Sequence, residues 1–381
     1  MNAPILPALP AVRLWIFCPW AGQPEPAACH LAGRTQSDLR ARVSDPADPG
    51  LLRMARLDRD WHGENVRCLA ALQHPGVEFR AAQVLGASGL AAFVGALAHR
   101  PADETWWLVF TGQHPALIPG EAAAKVAAFV RRQGGRVLFY AFDEASRTMR
   151  GFAALAPHLD VLIHDEQPLE PSAAARLPVG AVTIHRSWVA NLVPFAVPFN
   201  EHPEPSILFL GSQLGLTPHR QRQIDYLRGR FRDRFVASHD HSVEVGARDR
   251  LNRHQVALCP EGRKFVTPAM SRTHTDRPFW SGCLGLVPVA ENARQGGRLD
   301  DLAAADLIVR YPHGDLPALG DACERALALP TAARRRIYDH FNRNETIGGV
   351  VAGAIAEFNK DEVKRMKDEI SEPPAVLSLV S

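Results

Sequence analysis

Short apolar runs alternate with segments of helical periodicity along most of this chain, and that alternation limits the folds open to it. The segment 135–144, GRVLFYAFDE, is almost continuously apolar before it ends in two acids. It follows 121–135, an amphipathic helix with Glu at its start, Arg near its end and Gly-Gly as its stop. Strands that alternate with helices indicate a parallel sheet, and continuously apolar strands indicate burial on both faces. The predicted fold class is therefore α/β with parallel sheets.

The alternation occurs twice, on either side of a segment with four prolines at 193–206, which we interpret as a linker. Before it we predict strands at 12–20, 104–112, 135–144, 160–167 and 181–188, and helices at 89–100 and 121–135. After it we predict strands at 206–212, 234–240, 254–262, 286–292 and 306–312, and helices at 220–231, 277–285, 315–330, 331–344 and 348–369.

A chain of 381 residues has the length of two domains of ordinary size. We therefore predict two Rossmann-like parallel-sheet domains that face a cleft. The first domain covers 1–200 and the second covers 201–345. A C-terminal helix is predicted at 346–370, and 371–381 is expected to be a disordered tail.

The composition is that of a globular protein, with 46% apolar and 22% charged residues. The formal net charge of +2 does not call for a nucleic-acid partner. The six cysteines form no CxxC pair and no histidine cluster has metal-ligand spacing, so we expect no metal cofactor and a reducing, cytoplasmic location. The N-terminus lacks the basic region of a signal peptide, and no uncharged apolar run could span a membrane. Peripheral membrane contact stays open.

Three loops of the second half carry groups that suit a phosphate. They are 211–222, GSQLGLTPHRQR, then 260–264, PEGRK, and then 271–280, SRTHTDRPFW. Ligands of open parallel sheets bind beyond the carboxyl ends of the strands, where these loops are expected to lie. Backbone N–H groups at helix starts, hydroxyls and basic side chains all bind diphosphate oxygens. The sequence therefore predicts a diphosphate site at this edge.

The order of motifs over 206–345 resembles the C-terminal domain of GT-B glycosyltransferases. ILFLGS followed by HRQRQIDYL resembles the CgeB-like bacterial groups, and ALCPEG followed by RPFWSGCLGLVPV resembles exostosin-like and fucosyltransferase-like enzymes. The resemblance implies a hexosyltransferase-type enzyme that moves a sugar from a nucleotide diphosphate donor in the second domain to an acceptor at the first. It also implies that no metal takes part and that the C-terminal helix at 346–370 packs back on the first domain. The N-terminal half resembles these enzymes in architecture alone.

The resemblance also implies a set of donor-binding residues. They are Gly211, Ser212, Arg263, Lys264, Thr275, Asp276 and Arg277. Glu261 is a candidate for binding ribose or sugar hydroxyls, with a salt bridge to Arg263 as the alternative. Arg220 is a candidate for the phosphate, with a solvated helix face as the alternative. Asp276 has the alternative role of capping the helix that begins near Pro278.

The catalytic base is expected in the first domain. Retaining enzymes of this class often carry a second acid downstream of the first, but Ala269 and Ser281 are not acids, which favours inversion. An inverting transfer needs a base for the acceptor hydroxyl. The candidates are acids at predicted strand ends, Asp143, Glu144, Asp165 and Glu166, together with His62 and Glu64. The alternative for each acid is a helix or turn cap.

Other functions stay open at this stage. The same two-domain shape is compatible with a nucleotide-sugar epimerase, with a nucleotide-sugar-binding scaffold that lacks chemistry, and with a nucleic-acid-directed glycosyltransferase. His239, Asp240 and His241 are adjacent, and consecutive strand residues cannot all face one ion, so we interpret them as a solvated strand end. The acceptor is open between a glycan, a lipid-linked group, a protein and a small molecule.

Overall fold

The protein folds around two parallel sheets. The computed structural model describes residues 11–17, 77–85, 90–112, 121–141, 152–164, 171–186, 190, 194–210, 217–238, 251–261, 277–292 and 297–371. Every strand pair recorded in these residues is parallel. The predicted α/β class with two Rossmann-like parallel-sheet domains is confirmed by this topology.

The first sheet has six strands in the order β2-β1-β3-β4-β5-β6. The strands are β1 Ala11–Phe17, β2 Phe79–Leu85, β3 Glu104–Gly112, β4 Arg136–Ala141, β5 Val161–His164 and β6 Val182–His185. The described helices among them are α1 Leu90–Leu97, α2 Glu121–Arg132, α3 Phe152–Leu155 and α4 Pro171–Ala174. This is a doubly wound order, whose direction reverses between β1 and β3.

Side chains of β3 point alternately to the two faces of the first sheet and contribute to the core on each face. Trp107 and Val109 lie on one face, packed with residues of the C-terminal helix, whereas Trp106 and Leu108 lie on the other, packed with α1 and α2 residues. Neighbouring side chains on a strand point to opposite faces, so one strand with an apolar centre can contribute to two cores. The adjacent tryptophans are therefore both buried, on opposite sides of the sheet.

The second sheet has five strands in the order β11-β10-β9-β7-β8. The strands are β7 Glu204–Leu210, β8 Phe235–Ser238, β9 His254–Cys259, β10 Val287–Asn292 and β11 Val309–Pro312. The helices are α5 Pro218–Phe231, α6 Arg277–Cys283, α7 Arg298–Ala304, α8 Leu316–Leu327 and α9 Thr331–Asn344. The order matches that of the first sheet, with the reversal between β7 and β9.

Strand β7 begins inside the segment that we interpreted as a linker. Pro205 cannot donate a ladder hydrogen bond, and the pairing with β9 shifts register between Glu204 and Ile207. The carbonyl of Pro205 accepts a hydrogen bond from Nε of Arg234 at 2.9 Å. The irregular register therefore accommodates a proline at the start of a central strand.

The last described helix, α10 Ile347–Ser371, leaves the second sheet and covers the first. Val351, Ile355 and Phe358 share a core with strands β1, β3, β4 and β5. The chain segment at Ala190 pairs with the start of this crossing, because Ala190 N donates to Glu345 O at 2.7 Å and Ile347 N donates to Ala190 O at 2.9 Å. The two chain passages between the sheets are thus joined by backbone hydrogen bonds. No helix of the described residues combines the length and apolar character needed to cross a membrane.

Gly282 on α6 makes a tight helix contact that a side chain would break. A Cβ at this position would lie 2.3 Å from a ring carbon of Phe341, which is fully buried on α9. We expect Gly282→Ala to lower the free energy of unfolding by about 1–3 kcal/mol, because overpacking outweighs the better helix propensity of alanine. Urea denaturation would measure the change.

Gly353→Ala is the matched control, since this glycine also lies in a helix but has open space around its Cβ position. It should be neutral or stabilise the protein by up to about 1 kcal/mol. Equal effects of the two substitutions would contradict the packing argument.

Candidate functional site

The switch point of the second sheet defines the candidate site. Strands β7 and β9 are neighbours there, and the chain leaves them in opposite directions, which opens a crevice at their carboxyl ends. Strand β7 ends at Leu210 and β9 at Cys259. The two predicted phosphate loops at 211–222 and 260–264 directly follow these strands in the chain. Topology therefore makes neighbours of two strands, β7 and β9, that the sequence separates.

Two of the predicted donor-site arginines support the backbone at this edge. Arg220, which is 6% exposed, donates from Nε to the carbonyl of Glu261 at 2.7 Å. Arg277 donates from Nε to the carbonyl of Leu210 at 3.0 Å, and its guanidinium lies over the ring of Phe209. Each arginine thus connects the start of a helix to the end of a strand beside the crevice. Arg220 does not lie on a solvated helix face.

Helix α5 begins at the crevice because its first turn is capped. Thr217 is the N-cap, and its hydroxyl accepts from the N–H of Arg220 at 3.3 Å. Pro218 occupies the first turn, where its missing N–H costs nothing. Positions Arg220, Gln223, Ile224, Leu227 and Phe231 form the buried face. This local pattern directs the positive end of the helix toward the carboxyl edge of the sheet.

The other predicted site residues divide into two groups. Glu261 is described, and it is buried directly after β9. The donor candidates Gly211, Ser212, Arg263, Lys264, Thr275 and Asp276 lie outside the described residues, as do Asp143, Glu144, Asp165, Glu166, His62 and Glu64 and the His239–His241 segment. Their roles stay predictions. Of these, Asp143 and Glu144 follow the end of β4 in the chain within three residues, and Asp165 and Glu166 follow the end of β5 within two.

Glu291, at the end of β10, is the centre of a polar cluster that the sequence did not predict. Its side chain is fully buried. Oε1 lies 2.6 Å from Nε2 of His219, 2.8 Å from Nδ1 of His313, 3.1 Å from the amide nitrogen of Gln223 and 3.2 Å from the backbone nitrogen of Gly314. Oε2 accepts from the N–H of Glu261 at 3.3 Å. One carboxylate thus connects α5, the end of β9 and the loop after β11.

Buried aromatic and basic groups surround this carboxylate. Tyr311 donates from its hydroxyl to Oε1 of Gln223, and burial, together with the negative charge of Glu291, raises the Tyr311 pKa well above its ordinary value. Burial lowers the pKa of Arg310, against the opposing effect of Asp300, whose carboxylate is 2.7 Å away. Arg310 also donates to the carbonyl of Glu291. Because its pKa is raised, Tyr311 is neutral at physiological pH.

His219, Glu291 and His313 have the chemistry of a metal-ligand set. Their candidate ligand atoms all lie within 4.8 Å of one another, and among the described residues this group meets that condition. Two imidazoles and a carboxylate suit borderline divalent ions. Sequence spacing could not reveal the set, because its members lie on α5, on β10 and in the loop after β11. The available signal was an acid directly after the buried run LVPVA, at the edge where ligands bind.

A cavity of about 290 Å³ lies at the opposite edge of the first sheet. Its lining includes Arg131, Arg136, Asp160 and Glu362, which lie near the amino ends of β4 and β5 and on α10. Arg136 pairs with Glu362, and Arg131 lies 3.4 Å from Asp160, so these charges offset one another. Doubly wound sheets bind their ligands at the carboxyl edge, so we place the candidate site at the switch point instead.

Comparisons with known proteins give matches among solved structures. No protein-family model and no curated protein matches the chain. A glucosyltransferase solved with UDP and a 13-mer DNA matches 95% of this chain and 100% of its own, at 11% identity and a TM-score of 0.41. Phytolacca americana UGT2, solved with UDP-2-fluoroglucose and pterostilbene, matches 92% and 99%, at 12% identity and a TM-score of 0.35. The apo lipopolysaccharide galactosyltransferase WaaB matches 94% and 99%, at 9% identity and a TM-score of 0.35.

Two of the matched structures are a glucosyltransferase and a galactosyltransferase, and the third holds UDP-2-fluoroglucose. The matches extend over almost the whole of both chains, so they include the first domain as well as the second. Because the identities are 9–12% and the TM-scores are below 0.5, we argue function from the residues of this chain.

Proposed function

We propose that this protein is a glycosyltransferase that moves a sugar from a nucleotide diphosphate donor to an acceptor held by its first domain. The observation that carries the proposal is the switch-point crevice between β7 and β9. Arg220 and Arg277 border it, and the loops that follow these strands contain the Gly-Ser turn at 211–212 and the Arg-Lys pair at 263–264. A dianionic diphosphate matches this concentration of basic groups and N–H donors.

The second domain would stabilise the leaving group. As the bond between the anomeric carbon and the diphosphate oxygen breaks, negative charge collects on the diphosphate. Arg263, Lys264 and the N–H groups at the start of α5 are expected to stabilise that charge. In this proposal no metal takes part in the transfer itself.

The first domain would supply the base and hold the acceptor. Asp143, Glu144, Asp165 and Glu166 follow β4 and β5, whose carboxyl ends form the ligand-binding edge of that sheet. One of these acids would take the proton of the acceptor hydroxyl while its oxygen attacks the anomeric carbon. Attack from the face opposite the leaving diphosphate inverts the anomeric configuration.

Donor binding should depend on the basic pair at 263–264. We expect Arg263→Ala and Lys264→Ala each to weaken binding of the preferred nucleotide diphosphate by about 10- to 100-fold, since a hydrogen bond to a charged group contributes about 1.5–3 kcal/mol. Titration calorimetry with UDP, GDP, dTDP and CMP would identify the preferred nucleotide and measure the loss of affinity in each variant. The matched control is Arg228→Ala, which removes an exposed arginine from the last turn of α5, away from the crevice. Equal effects of all three variants, or no binding of any nucleotide, would contradict the proposal.

Product analysis separates the proposed activity from its alternatives. The preferred nucleotide-sugar would be incubated with the protein, with and without a panel of hydroxyl acceptors. Release of nucleotide diphosphate that is stimulated by an acceptor supports transfer. Binding without release would identify a scaffold, and a changed sugar still attached to its nucleotide would identify an epimerase.

A further inference from the structure

One oxygen of Glu291 is surrounded by more donors than it can use. Oε1 has four nitrogen atoms within 3.2 Å, from His219, His313, Gln223 and Gly314. Each carboxylate oxygen offers about two lone-pair sites. The amide of Gln223 and the backbone N–H of Gly314 donate to this oxygen, and the two imidazole nitrogens crowd it further.

The protons on this cluster are also in conflict. Nε2 of His219 lies 2.6 Å from Oε1 of Glu291 but 2.9 Å from the amide nitrogen of Gln223. A protonated Nε2 faces a donor at Gln223, and an unprotonated Nε2 faces an acceptor at Glu291. Turning the amide of Gln223 would place its oxygen 3.1 Å from Oε1 of Glu291, which is a contact between two acceptors. No single arrangement of protons satisfies every pair.

We propose that His219, Glu291 and His313 form a binding site for a divalent ion of the Zn²⁺, Co²⁺ or Ni²⁺ class. An ion bound by Nε2 of His219, Nδ1 of His313 and Oε1 of Glu291 would take the place of the protons between the two imidazole nitrogens and the carboxylate. An imidazole that binds an ion through its lone pair can at the same time face the amide of Gln223. That amide then acts as an outer partner that orients the carboxylate, as is usual around metal ligands.

The surroundings supply the charge and the room that the ion needs. The buried residue Glu261 donates its backbone N–H to Glu291, and the nearby Arg310 is held by Asp300 and Asn292. The two imidazoles stack with centroids 4.5 Å apart and planes 29° apart, so binding of one ion by both lone pairs would require one ring to turn. The side chain of His313 is half exposed and precedes Gly314, which has open space around it. His313 is therefore the ring that turns.

The ion site does not depend on the proposed sugar transfer, although His219 and Arg220 both lie in the first turn of α5. Three protein ligands leave a fourth position for water. The ion would join α5, β10 and the loop after β11. The transfer proposed above needs no ion, so removal of metal should leave nucleotide binding at the switch point in place. A failure of either proposal is thus distinguishable from a failure of the other.

The test is titration of tag-free, chelator-treated protein with Zn²⁺ by calorimetry and with Co²⁺ by visible absorption. We expect about one ion per chain, with the absorption bands of a tetrahedral Co²⁺ site. His219→Ala and His313→Ala should each weaken binding at least tenfold. Because His313 is half exposed, its variant tests the site even if His219→Ala fails to fold.

His340→Ala is the matched control. Its Nε2 lies 3.3 Å from the buried carboxylate of Glu345, so it removes a histidine–glutamate contact that belongs to no ligand set of the described residues. This variant should bind the ion as the unaltered protein does. Absence of binding, or binding that His313→Ala leaves unchanged, would overturn the proposal and identify the cluster as a hydrogen-bonded joint only.

Discussion

Glu345→Gln is expected to lower the free energy of unfolding by about 3 kcal/mol at neutral pH, because it removes the charge of a fully buried carboxylate that pairs with Arg298. Glu345 is fully buried and accepts from Nε of Arg298 at 3.0 Å. Arg298, which is 17% exposed, also lies 3.8 Å from the exposed carboxylate of Asp301. Glu345 is the C-cap of α9, and its backbone carbonyl, which the substitution keeps, accepts from the N–H of Ala190.

The loss should depend on pH in a defined direction. Burial alone would raise the pKa of Glu345, but hydrogen bonds from His340 and Arg298, with the charges of Arg298 and Arg186, outweigh it and hold the pKa below its ordinary 4.5. A depressed folded-state pKa adds stability that is complete above the unfolded value and is lost as pH falls through the folded value. The difference between the protein and Glu345→Gln should therefore be full at pH 7 and shrink below about pH 4.5.

Urea denaturation at several pH values would measure this difference. Asp301→Asn is the matched control, since it removes the exposed partner of the same arginine and should cost no more than about 1 kcal/mol. A loss for Glu345→Gln that is as small as that of Asp301→Asn would count against the ion pair. A loss that stays the same at low pH would count against the assigned pKa shift.

Phe358→Ala is expected to destabilise the first domain by about 3–5 kcal/mol, the usual cost of removing a buried phenylalanine. Phe358 on α10 is 4% exposed and packs edge to face on Trp107, with ring centroids 5.4 Å apart. The guanidinium of Arg136 also lies over its ring. Because α10 leaves the second sheet to cover the first, this substitution removes the contact through which the C-terminal helix stabilises the first sheet.

Urea denaturation followed by near-UV circular dichroism would report the loss, since Trp107 is in direct contact with the substituted ring. Glu357→Ala changes the neighbouring position on the same helix, where the side chain is 56% exposed, and should change stability by less than about 0.5 kcal/mol. If both variants unfold at the same denaturant concentration, α10 does not contribute to the stability of the first sheet as we infer.

The secondary structure of the described chain could largely be predicted from local sequence. The helix at 121–135 carries its own start and stop signals, and the structure has it as Glu121–Arg132. The strand at 104–112 has an apolar centre, WWLVF, and is observed with the same bounds. Strand β2, FRAAQVL, was not predicted, because Arg, Ala and Gln give it little of the β-branched and aromatic character that marks a strand. Pairing with β1 makes it a strand.

The candidate site could also be predicted in part, because local sequence marks the loops as well as the strands. Loops that follow apolar strands can be recognised locally, and in the structure Arg220 and Arg277 contact the backbone at the ends of β9 and β7. That the Nε atoms of these arginines donate to backbone carbonyls of distant strands was not predictable. Arg263, Lys264 and the four candidate base acids stay predictions, for the experiments above to test.

By itself, the sequence determined the elements, their parallel class and the loops with anion-binding chemistry, because periodicity, caps and composition act over a few neighbouring residues. Only the tertiary structure decided which strands are neighbours, where the switch point lies and that α10 covers the first sheet. It also decided that His219 and His313 meet Glu291. These contacts join residues from separate strands and helices, and their geometry is set by how whole elements pack, which no local pattern records.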